Sequence, residues 1–341
     1  MQAILVTGGA GFIGSNLVVH LVQKYPEYHV INLDALTYAG YESNVKEILH
    51  YENYTFVKGN ICDNNTVASL FAKYDIRHVL HLAAESHVDK SITGPAAFVE
   101  TNINGTFCLL ENARNHWFAA PQKTNLGYEN SRFLHVSTDE VYGTLGDTGL
   151  FTETTAYAPN SPYSASKAAS DFLVRSYHHT YGMNTVITNC SNNYGPKQHQ
   201  EKLIPTIIRK ALSLQQIPIY GNGKNIRDWL FVTDHCTGID AAFHRGIAGE
   251  TYNIGGENER QNIYIANKIC SILDELRPRA DSKKYADLIS YVEDRHGHDF
   301  RYAIDATKIR TDLGWQPAEN FETGILKTIN WYIHQLVPTV L

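Results

Sequence analysis

The chain has 341 residues, 43% of them hydrophobic and 19% charged, which is ordinary for a soluble globular protein. The formal net charge of −6 argues against a general nucleic-acid-binding surface. No apolar run approaches the roughly 20 residues that span a bilayer, and the first residues lack a basic segment with a cleavage site, so we expect a cytoplasmic protein that binds neither nucleic acid nor membrane.

The first half of the chain alternates predicted strands and helices. Apolar strands are predicted at 3–7, 30–33, 55–59, 79–83 and 132–137, and the clearest helical patterns lie at 11–25 and 102–116. Strands that alternate with helices form βαβ units with right-handed crossovers. The sequence therefore predicts an α/β fold, a Rossmann-type doubly wound parallel sheet.

The pattern becomes irregular after about Asn193. Scattered prolines and the turn at 221–223 predict a smaller C-terminal substrate lobe, which ends in an amphipathic helix from about Phe321 to Leu336. We place the core at 1–193 and the lobe at 194–341, with segments such as 228–234 and 252–255 able to return to the core. The polar insertion at 118–130 is predicted to be a surface loop.

Cysteine and histidine spacing favours neither disulfides nor a metal site. The five cysteines are widely spaced and form no Cys-x-x-Cys motif. The close histidine pairs, at 178–179 and 296–298, have no second ligand pair at zinc spacing. We expect free thiols in a reducing compartment and no metal.

A glycine-rich turn joins the first predicted strand to the first helix. Gly8, Gly11 and Gly14 are spaced as Gly-x-x-Gly-x-x-Gly around Phe12 and Ile13. Such a turn lets the backbone approach a pyrophosphate, which the helix N-terminus attracts. An acidic residue about twenty positions on, here Asp34, accepts hydrogen bonds from the adenosine ribose and repels a 2′-phosphate, so we predict NAD rather than NADP.

Other residues follow the carboxyl ends of the predicted strands, where ligands bind in open α/β sheets. Asn60 and Ile61 follow the third strand, beside the expected adenine, and Ala83 and Ser86 lie at and just after the end of the fourth, near the cofactor and substrate.

Tyr163 and Lys167 are four residues apart and face the same side of a predicted helix. An ammonium group near a phenol favours the phenolate, so we expect Lys167 to lower the pKa of Tyr163. Such a tyrosine accepts a proton from an alcohol as hydride leaves the same carbon. Thr138, upstream of this pair, is placed to bind a substrate hydroxyl.

Two adjacent carboxylates, Asp139 and Glu140, follow that threonine. A simple alcohol dehydrogenase does not need them, but elimination of water needs a base and an acid together, with their pKa values pushed apart. The sequence predicts the pair without saying which residue is the base.

The chain resembles the extended short-chain dehydrogenase/reductase family, and within it the nucleoside-diphosphate-sugar 4,6-dehydratases, above all those that act on dTDP-glucose. The resemblance spans nearly the whole chain, and its motifs are at 7–16, 36–40, 83–88, 137–143, 161–171, 189–196, 220–229 and 294–305. Related epimerases usually lack the Asp-Glu pair, and related decarboxylases and GDP-mannose dehydratases usually have Ser at the Asp139 position. Asn60 departs from the usual Asp, although its amide oxygen is still an acceptor for the adenine amino group.

The resemblance implies a lyase that forms a 4-keto-6-deoxy sugar nucleotide with recycled NAD, Glu140 as base and Asp139 as acid. It implies a homodimer paired through helices at about 95–116 and 162–181, and a place in deoxysugar synthesis, typically that of rhamnose. The substrate-binding residues that it implies are Ser86, Thr138, Asn192, Glu201, Lys202, Leu203, Pro218, Tyr220, Arg227, Asn262, Arg295 and His298.

Two kinds of alternative remain open at this stage. The same scaffold suits a UDP- or CDP-glucose 4,6-dehydratase or a UDP-sugar 4-epimerase, since thymine and uracil differ by one methyl group, worth only about 1–3 kcal/mol in a pocket. A non-catalytic NAD-binding sensor is the second alternative, and the joint presence of Thr138, Tyr163 and Lys167 with the acid pair argues against it.

Overall fold

The computed structural model describes residues 1–294 and 299–336. Its central parallel sheet has the strand order β12-β8-β7-β4-β1-β2-β3. This is the predicted doubly wound α/β sheet. The strands of the described residues are β1 (Gln2–Thr7), β2 (Tyr28–Asp34), β3 (Tyr54–Lys58), β4 (Ile76–His81), β5 (Phe118–Ala120), β6 (Lys123–Thr124), β7 (Arg132–Thr138), β8 (Thr185–Cys190), β9 (Asn192–Tyr194), β10 (Ile217–Tyr220), β11 (Ile226–Phe231), β12 (Thr251–Ile254), β13 (Glu259–Gln261) and β14 (Ile289–Val292).

Helices connect these strands and cover the sheet. They are α1 (Phe12–Lys24), α2 (Asn64–Tyr74), α3 (Val88–Thr93), α4 (Ala96–Phe98), α5 (Gly105–Trp117), α6 (Pro162–Tyr181), α7 (Leu203–Leu212), α8 (Val232–Arg245), α9 (Asn262–Leu276), α10 (Thr307–Leu313) and α11 (Phe321–Leu336). None of the helices in the described part of the chain is long and apolar enough to cross a membrane.

Strand β1 shows why the sheet is covered on both faces. Successive side chains of a strand point to opposite faces. Ile4 and Val6 pack in one apolar cluster with α1 and α8, whereas Ala3 and Leu5 pack in another with α2 and α5. Both faces are buried, and the polar ends of the strands are left to form the site.

The second half of the chain divides between the core and a separate lobe. Strand β12 pairs with β8 in the central sheet, and α8 and α10 pack on the core. Strand β11 instead pairs with β9 and β13, and α7, α9 and α11 enclose a third apolar cluster. Segment 252–255 therefore joins the core sheet. Segment 228–234 belongs to the lobe up to the end of β11 and returns to the core where α8 begins.

Three local features differ from the sequence predictions. The insertion at 118–130 is not all loop, because β5 and β6 pair in a short antiparallel hairpin. The helical segment expected from Asn102 begins earlier, with α4 followed by a π-helical turn at Val99–Asn104. Strand β8, which the periodicity did not single out, is buried at all six residues because it lies inside the sheet.

Candidate active site

One cavity lies beyond the carboxyl ends of the core strands. Its walls come from the glycine-rich turn, the ends of β2, β3, β4 and β7, the start of α6 and the segment 190–202. The cavity therefore brings the predicted cofactor residues and the predicted catalytic residues together.

Two glycines leave no room for a side chain in the turn before α1. Gly8 has a φ of +73°, and a Cβ there would lie 2.7 Å from the Ala83 backbone. A Cβ on Gly14 would lie 2.1 Å from the Gly8 carbonyl oxygen. No side chain caps α1 at Gly11, and Gly11, Phe12, Ile13 and Gly14 all line the cavity, so the free N–H groups of this helix end are available to an anion.

Asp34 holds the glycine-rich turn from the end of β2. Its Oδ2 accepts the Ala10 N–H at 2.8 Å and its Oδ1 accepts the Leu36 N–H at 2.8 Å. Each carboxylate oxygen keeps a lone pair for a ribose hydroxyl.

The two residues after β3 also lie on the cavity wall. Asn60 and Ile61 line it, as does Ala83 after β4. Asn60 Oδ1 already accepts the Cys62 N–H at 2.9 Å. An adenine amino group would therefore share this oxygen with a backbone donor.

The acid pair begins where β7 ends. Thr138 caps the short helical turn at 139–142 by accepting the Glu140 N–H at 3.3 Å, and its hydroxyl donates to Asp139 Oδ1 at 3.3 Å. Asp139 is buried, with Oδ2 lacking a hydrogen-bond partner, whereas Glu140 is partly exposed. Burial raises the pKa of Asp139 well above its ordinary value, and the charges of Glu140 and Asp228 raise it further.

Burial and the neighbouring acids therefore favour the protonated form of the Asp139 carboxyl group, because its ionised form would lie in a buried site beside other negative charges. Both acids line the cavity that holds Tyr163.

Tyr163 and Lys167 lie on the first turns of α6, which Ser161 caps through a reciprocal bond with Ser164 and which Pro162 opens. The Lys167 amine donates to the Val136 carbonyl at 2.8 Å and lies 3.3 Å from His135 Nε2.

The expectation that Lys167 lowers the pKa of Tyr163 is wrong for this structure. Burial, followed by the charge of Glu140, raises the pKa of Tyr163 well above its ordinary value, and a hydrogen bond with Thr138 acts in the opposite direction. The physical reason is that Lys167 points into the protein, toward β7.

The substrate residues expected from the resemblance fall into three groups. Ser86, Thr138, Asn192, Glu201 and Lys202 line the cavity. Lys202 donates to the Ser86 carbonyl at 3.0 Å, which joins the start of α7 to the loop after β4. Arg295 and His298 lie outside the described residues.

Four other expected residues are not among those that line this cavity. Leu203 packs against the lobe core, Pro218 and Tyr220 lie on β10, and Asn262 begins α9. Their part in substrate binding stays a prediction.

Arg227 is buried on β11, with its guanidinium donating to backbone carbonyls at 2.7–3.2 Å and stacked 4.3 Å from the Tyr302 ring centre. Its charge acts on Asp139, whose pKa it lowers. These three bonds leave further N–H donors of the guanidinium, so the expected pyrophosphate contact stays a prediction.

Several residues that line the cavity were not among the site residues expected from the sequence. They are Glu85, Cys190, Ser191, Asn193, Gln198 and His199. The first four lie within the motifs at 83–88 and 189–196, which could have identified them, whereas Gln198 and His199 lie in no motif.

Glu201 on this wall has three basic neighbours. Its Oε2 lies 3.5 Å from His87 Nε2, 3.3 Å from His199 Nδ1 and 3.7 Å from Lys90 Nζ.

Three structural features of the cavity suit a bound dinucleotide. The uncapped end of α1, the turn without Cβ atoms and the Asp34 carboxylate suit a pyrophosphate and a ribose. Asn192 and Glu201 line the cavity, and buried oxygens of both, Asn192 Oδ1 and Glu201 Oε1, have no hydrogen-bond partner among residues 1–294 and 299–336. Such atoms are satisfied when a polar ligand binds.

Comparison with known proteins places this site in a family. Residues 5–328 match the family model described as GDP-mannose 4,6 dehydratase. A dTDP-glucose 4,6-dehydratase of Xanthomonas campestris pv. campestris (strain B100) is 56% identical over 333 residues, covering 98% of this chain and 93% of that protein.

Solved structures agree with this match. The dTDP-glucose 4,6-dehydratase of Bacillus anthracis in complex with NAD is 44% identical, with a TM-score of 0.84 over 97% of this chain and 96% of that one. The enzyme of the same name from Streptomyces venezuelae, with NAD and TDP bound, is 43% identical, with a TM-score of 0.86 over 97% of both chains. This chain therefore belongs to the NAD-dependent nucleotide-sugar 4,6-dehydratase family, in the group of the dTDP-glucose 4,6-dehydratases.

Proposed function

We propose that this protein converts dTDP-glucose to dTDP-4-keto-6-deoxy-glucose and water. The observation that carries the proposal is the pairing of a buried Asp139, whose pKa is raised by burial, with a partly exposed Glu140 in the cavity that holds Tyr163. A simple oxidation at carbon 4 has no use for this pair, whereas elimination of water uses both members.

The cofactor site would be formed by the glycine-rich turn and Asp34, with Asn60 and Ile61 toward the adenine and Ala83, Tyr163 and Lys167 toward the nicotinamide. When bound, NAD supplies the hydride acceptor for carbon 4 and the hydride donor for carbon 6. The chain itself supplies binding, orientation and proton transfer.

Tyr163 takes the proton of the sugar 4-hydroxyl, with Thr138 orienting that hydroxyl. The ketone at carbon 4 then acidifies the hydrogen on carbon 5. Glu140 removes this hydrogen as a proton, and Asp139 gives its proton to the departing 6-hydroxyl, which leaves as water. Return of a proton to carbon 5 completes the product. Tyr163 has then gained the proton of the 4-hydroxyl and Asp139 has lost one to water, and proton exchange with solvent restores both groups before the next turnover.

Isotope transfer tests this proposal. The protein as isolated is given dTDP-glucose that carries deuterium on carbon 4, without added NAD, and the product is examined by NMR spectroscopy. We expect the deuterium in the methyl group at carbon 6 and, in D₂O, a second deuterium at carbon 5. Deuterium on carbon 4 of an epimeric sugar would indicate a 4-epimerase, and an unchanged sugar would indicate a binding protein.

The nucleotide is the finer part of the proposal. Its support is the similarity to dTDP-glucose 4,6-dehydratases. We expect kcat/KM for dTDP-glucose to exceed that for UDP-glucose by about 10- to 200-fold, the range that one methyl group provides. Equal values, or faster turnover of UDP- or CDP-glucose, would reassign the substrate.

We propose further that two copies of the chain pair through the face of α5 and α6, in the cytoplasm, and that the product enters deoxysugar synthesis such as that of rhamnose. Large apolar side chains are exposed on this face: Val99 and Phe107 at 48% and Phe172 at 58%.

Light scattering tests the dimer. The protein should have the mass of two chains, and the double variant Phe107→Asp, Phe172→Asp that of one, because charges would enter the buried face. Leu126→Asp, at a side chain 95% exposed, serves as the control and should stay dimeric. A monomeric parent protein would refute the pairing.

A further inference from the structure

Lys167 is buried beside the reacting groups without a carboxylate in direct contact. Its side chain is 4% exposed, and its amine is bonded to the Val136 carbonyl and lies 3.3 Å from His135 Nε2. A buried ammonium group is costly unless a negative charge balances it.

The balancing charge comes from one turn further along α6. Asp171 is 2% exposed, and its Oδ1 lies 3.3 Å from the same His135 Nε2. His135, which is fully buried on β7, thus stands between the amine and the carboxylate. These three side chains form what we call the buried triad.

The His135 ring links the two charges. Its Nε2 accepts a hydrogen bond from the Lys167 ammonium and lies 3.3 Å from Asp171 Oδ1, an oxygen that has no hydrogen-bond partner among the described residues. The protonation states of Lys167 and Asp171 are therefore coupled by charge across the His135 ring.

The other oxygen of Asp171 ties α6 to the strand that ends at Thr138. Its Oδ2 accepts the Ser137 hydroxyl at 2.8 Å and the Tyr157 hydroxyl at 3.0 Å. A purely structural role would rest on these two bonds, and an amide oxygen would preserve both.

We propose that Asp171 is a positioning residue for the proton-transfer pair: acting through His135, its negative charge keeps Lys167 protonated beneath Tyr163. Removal of the charge, even with the shape and hydrogen bonds retained, leaves the lysine neutral at working pH.

The electrostatics of the surrounding groups support this role. Burial is the main reason that the pKa of Lys167 falls to about 8, and the charge of Asp171 opposes the fall. Burial raises the pKa of Asp171 to about 7, against the effect of Lys167. The other titratable groups around the triad are His81 on β4, Cys190 on β8, Tyr142 and Tyr157 ahead of α6, and Tyr163 on α6.

The test compares Asp171→Asn with Tyr157→Phe. The first removes the charge and keeps an acceptor for Ser137 and Tyr157, whereas the second keeps the charge and removes two bonds of the Tyr157 hydroxyl, one to Asp171 and one from Asn189. Two readouts are measured in the full-length holoenzyme: the pH dependence of kcat, which rests on the proposed function, and the ¹³Cε resonance of Lys167, which does not. Lys167→Met assigns that resonance.

We expect Asp171→Asn to move both the alkaline limb of kcat and the Lys167 titration down by about one pH unit or more, while Tyr157→Phe leaves both in place. An unchanged Lys167 titration in Asp171→Asn, with only a lower melting temperature, would reduce Asp171 to a structural residue.

Two further outcomes remain distinct. If Asp171→Asn does not fold, His135→Gln is used in its place. Loss of the imidazole between Lys167 and Asp171 should shift the Lys167 titration down in the same way. An unchanged Lys167 titration in His135→Gln would overturn the proposal. A protein that does not turn over dTDP-glucose would refute the proposed function alone, since the resonance is measured without substrate.

Discussion

At the residue scale, two neighbouring carboxyl groups of similar chemistry are made different by their surroundings. Asp139 is buried, and burial with the charges of Glu140 and Asp228 raises its pKa, while Glu140 is partly exposed. The resemblance implies Asp139 as the acid, and its burial in the folded chain supports that assignment.

Substitution of Asp139 by Asn should therefore stop elimination without stopping removal of the hydrogen from carbon 5. We expect kcat to fall by about 10²- to 10⁴-fold, the usual contribution of a positioned acid. Unreacted sugar recovered from D₂O should carry deuterium at carbon 5, because Glu140 is intact, and NMR spectroscopy detects it. Asp147→Asn, at an exposed acid, is the control, and turnover of Asp139→Asn within a few-fold of the parent would contradict the assignment.

The same substitution should change how stability depends on pH. The pKa of Asp139 is raised in the folded protein above its ordinary 3.8, so the folded state binds more protons and the parent protein loses stability as pH rises above that value. Asp139→Asn removes this loss. Its melting temperature, relative to the parent, should rise between about pH 5 and pH 8. A constant difference would show that the Asp139 pKa is ordinary.

At the element scale, the π-helical turn before α5 orders the active site. Asn102 Oδ1 accepts the Glu85 N–H at 2.8 Å, and its Nδ2 donates to the Glu85 carbonyl at 3.1 Å and to Ser166 Oγ at 2.8 Å. One side chain thus joins the loop after β4 to the helix that carries Tyr163.

Loss of the Asn102 hydrogen bonds to Glu85 and Ser166 should lower kcat more than it lowers stability. Asn102→Ala leaves two backbone groups of Glu85 without partners, at a cost of about 1–3 kcal/mol each if they stay dry. We expect kcat to fall about tenfold or more, since misplaced catalytic groups carry penalties of that size. Asn104→Ala changes an exposed residue of the same turn and should leave kcat unchanged. Equal effects of the two variants on kcat would show that the Asn102 hydrogen bonds do not explain the loss.

A second inter-element contact joins α1 and α8. Burial acts to raise the pKa of Asp240, but hydrogen bonds from His20, His244, Lys24 and Tyr25 outweigh it and hold that pKa well below its usual range. The carboxylate therefore stabilises the fold above its ordinary value of 3.8, and this contribution is lost as pH falls below that value.

Asp240→Asn should lower the free energy of unfolding by about 2 kcal/mol at neutral pH, the size of a hydrogen bond to a charged group. Urea denaturation measures this, with the exposed Asp312→Asn as control. The difference from the parent should shrink below about pH 4, and a difference that persists in acid would mean that packing, not charge, explains the loss.

At the scale of the whole molecule, the cavity is shared by the core and the lobe. The core supplies Ser86 and the acid pair, while the segment leading to α7 supplies Gln198, Glu201 and Lys202. A ligand in this cavity touches both, so its binding energy is also energy that holds the lobe on the core.

Hydrogen exchange should detect this coupling. Addition of dTDP to the holoenzyme should slow amide exchange in β9 and in the segment 198–206, because the nucleotide orders both. The hairpin β5–β6 follows the far end of α5 and should not change. Protection confined to the core, with the lobe unaffected, would show that the nucleotide does not bridge the two.

Several properties of this protein followed from sequence because they depend on local chemistry. Gly8 and Gly14 are required because neighbouring backbone atoms lie too close for a Cβ at either position. Asp34 is identified by its position at the end of the second strand. Four-residue spacing puts Tyr163 and Lys167 on one face of α6 whatever surrounds them. Strand and helix periods likewise predicted five of the seven strands of the sheet. They did not single out β8, whose uniform burial gives no alternation, and gave β12 only as a segment able to return to the core.

Tertiary structure alone decided what depends on neighbours distant in sequence. The direction in which Lys167 points is set by Val136 and His135 on β7. The pKa of Asp139 depends on its burial and on the charges of Glu140, Asp228 and Arg227, of which the last two lie on β11. The pKa of a side chain, its burial and the direction in which it points depend on the residues that pack around it. Those neighbours are distant in sequence and come together only when the chain folds.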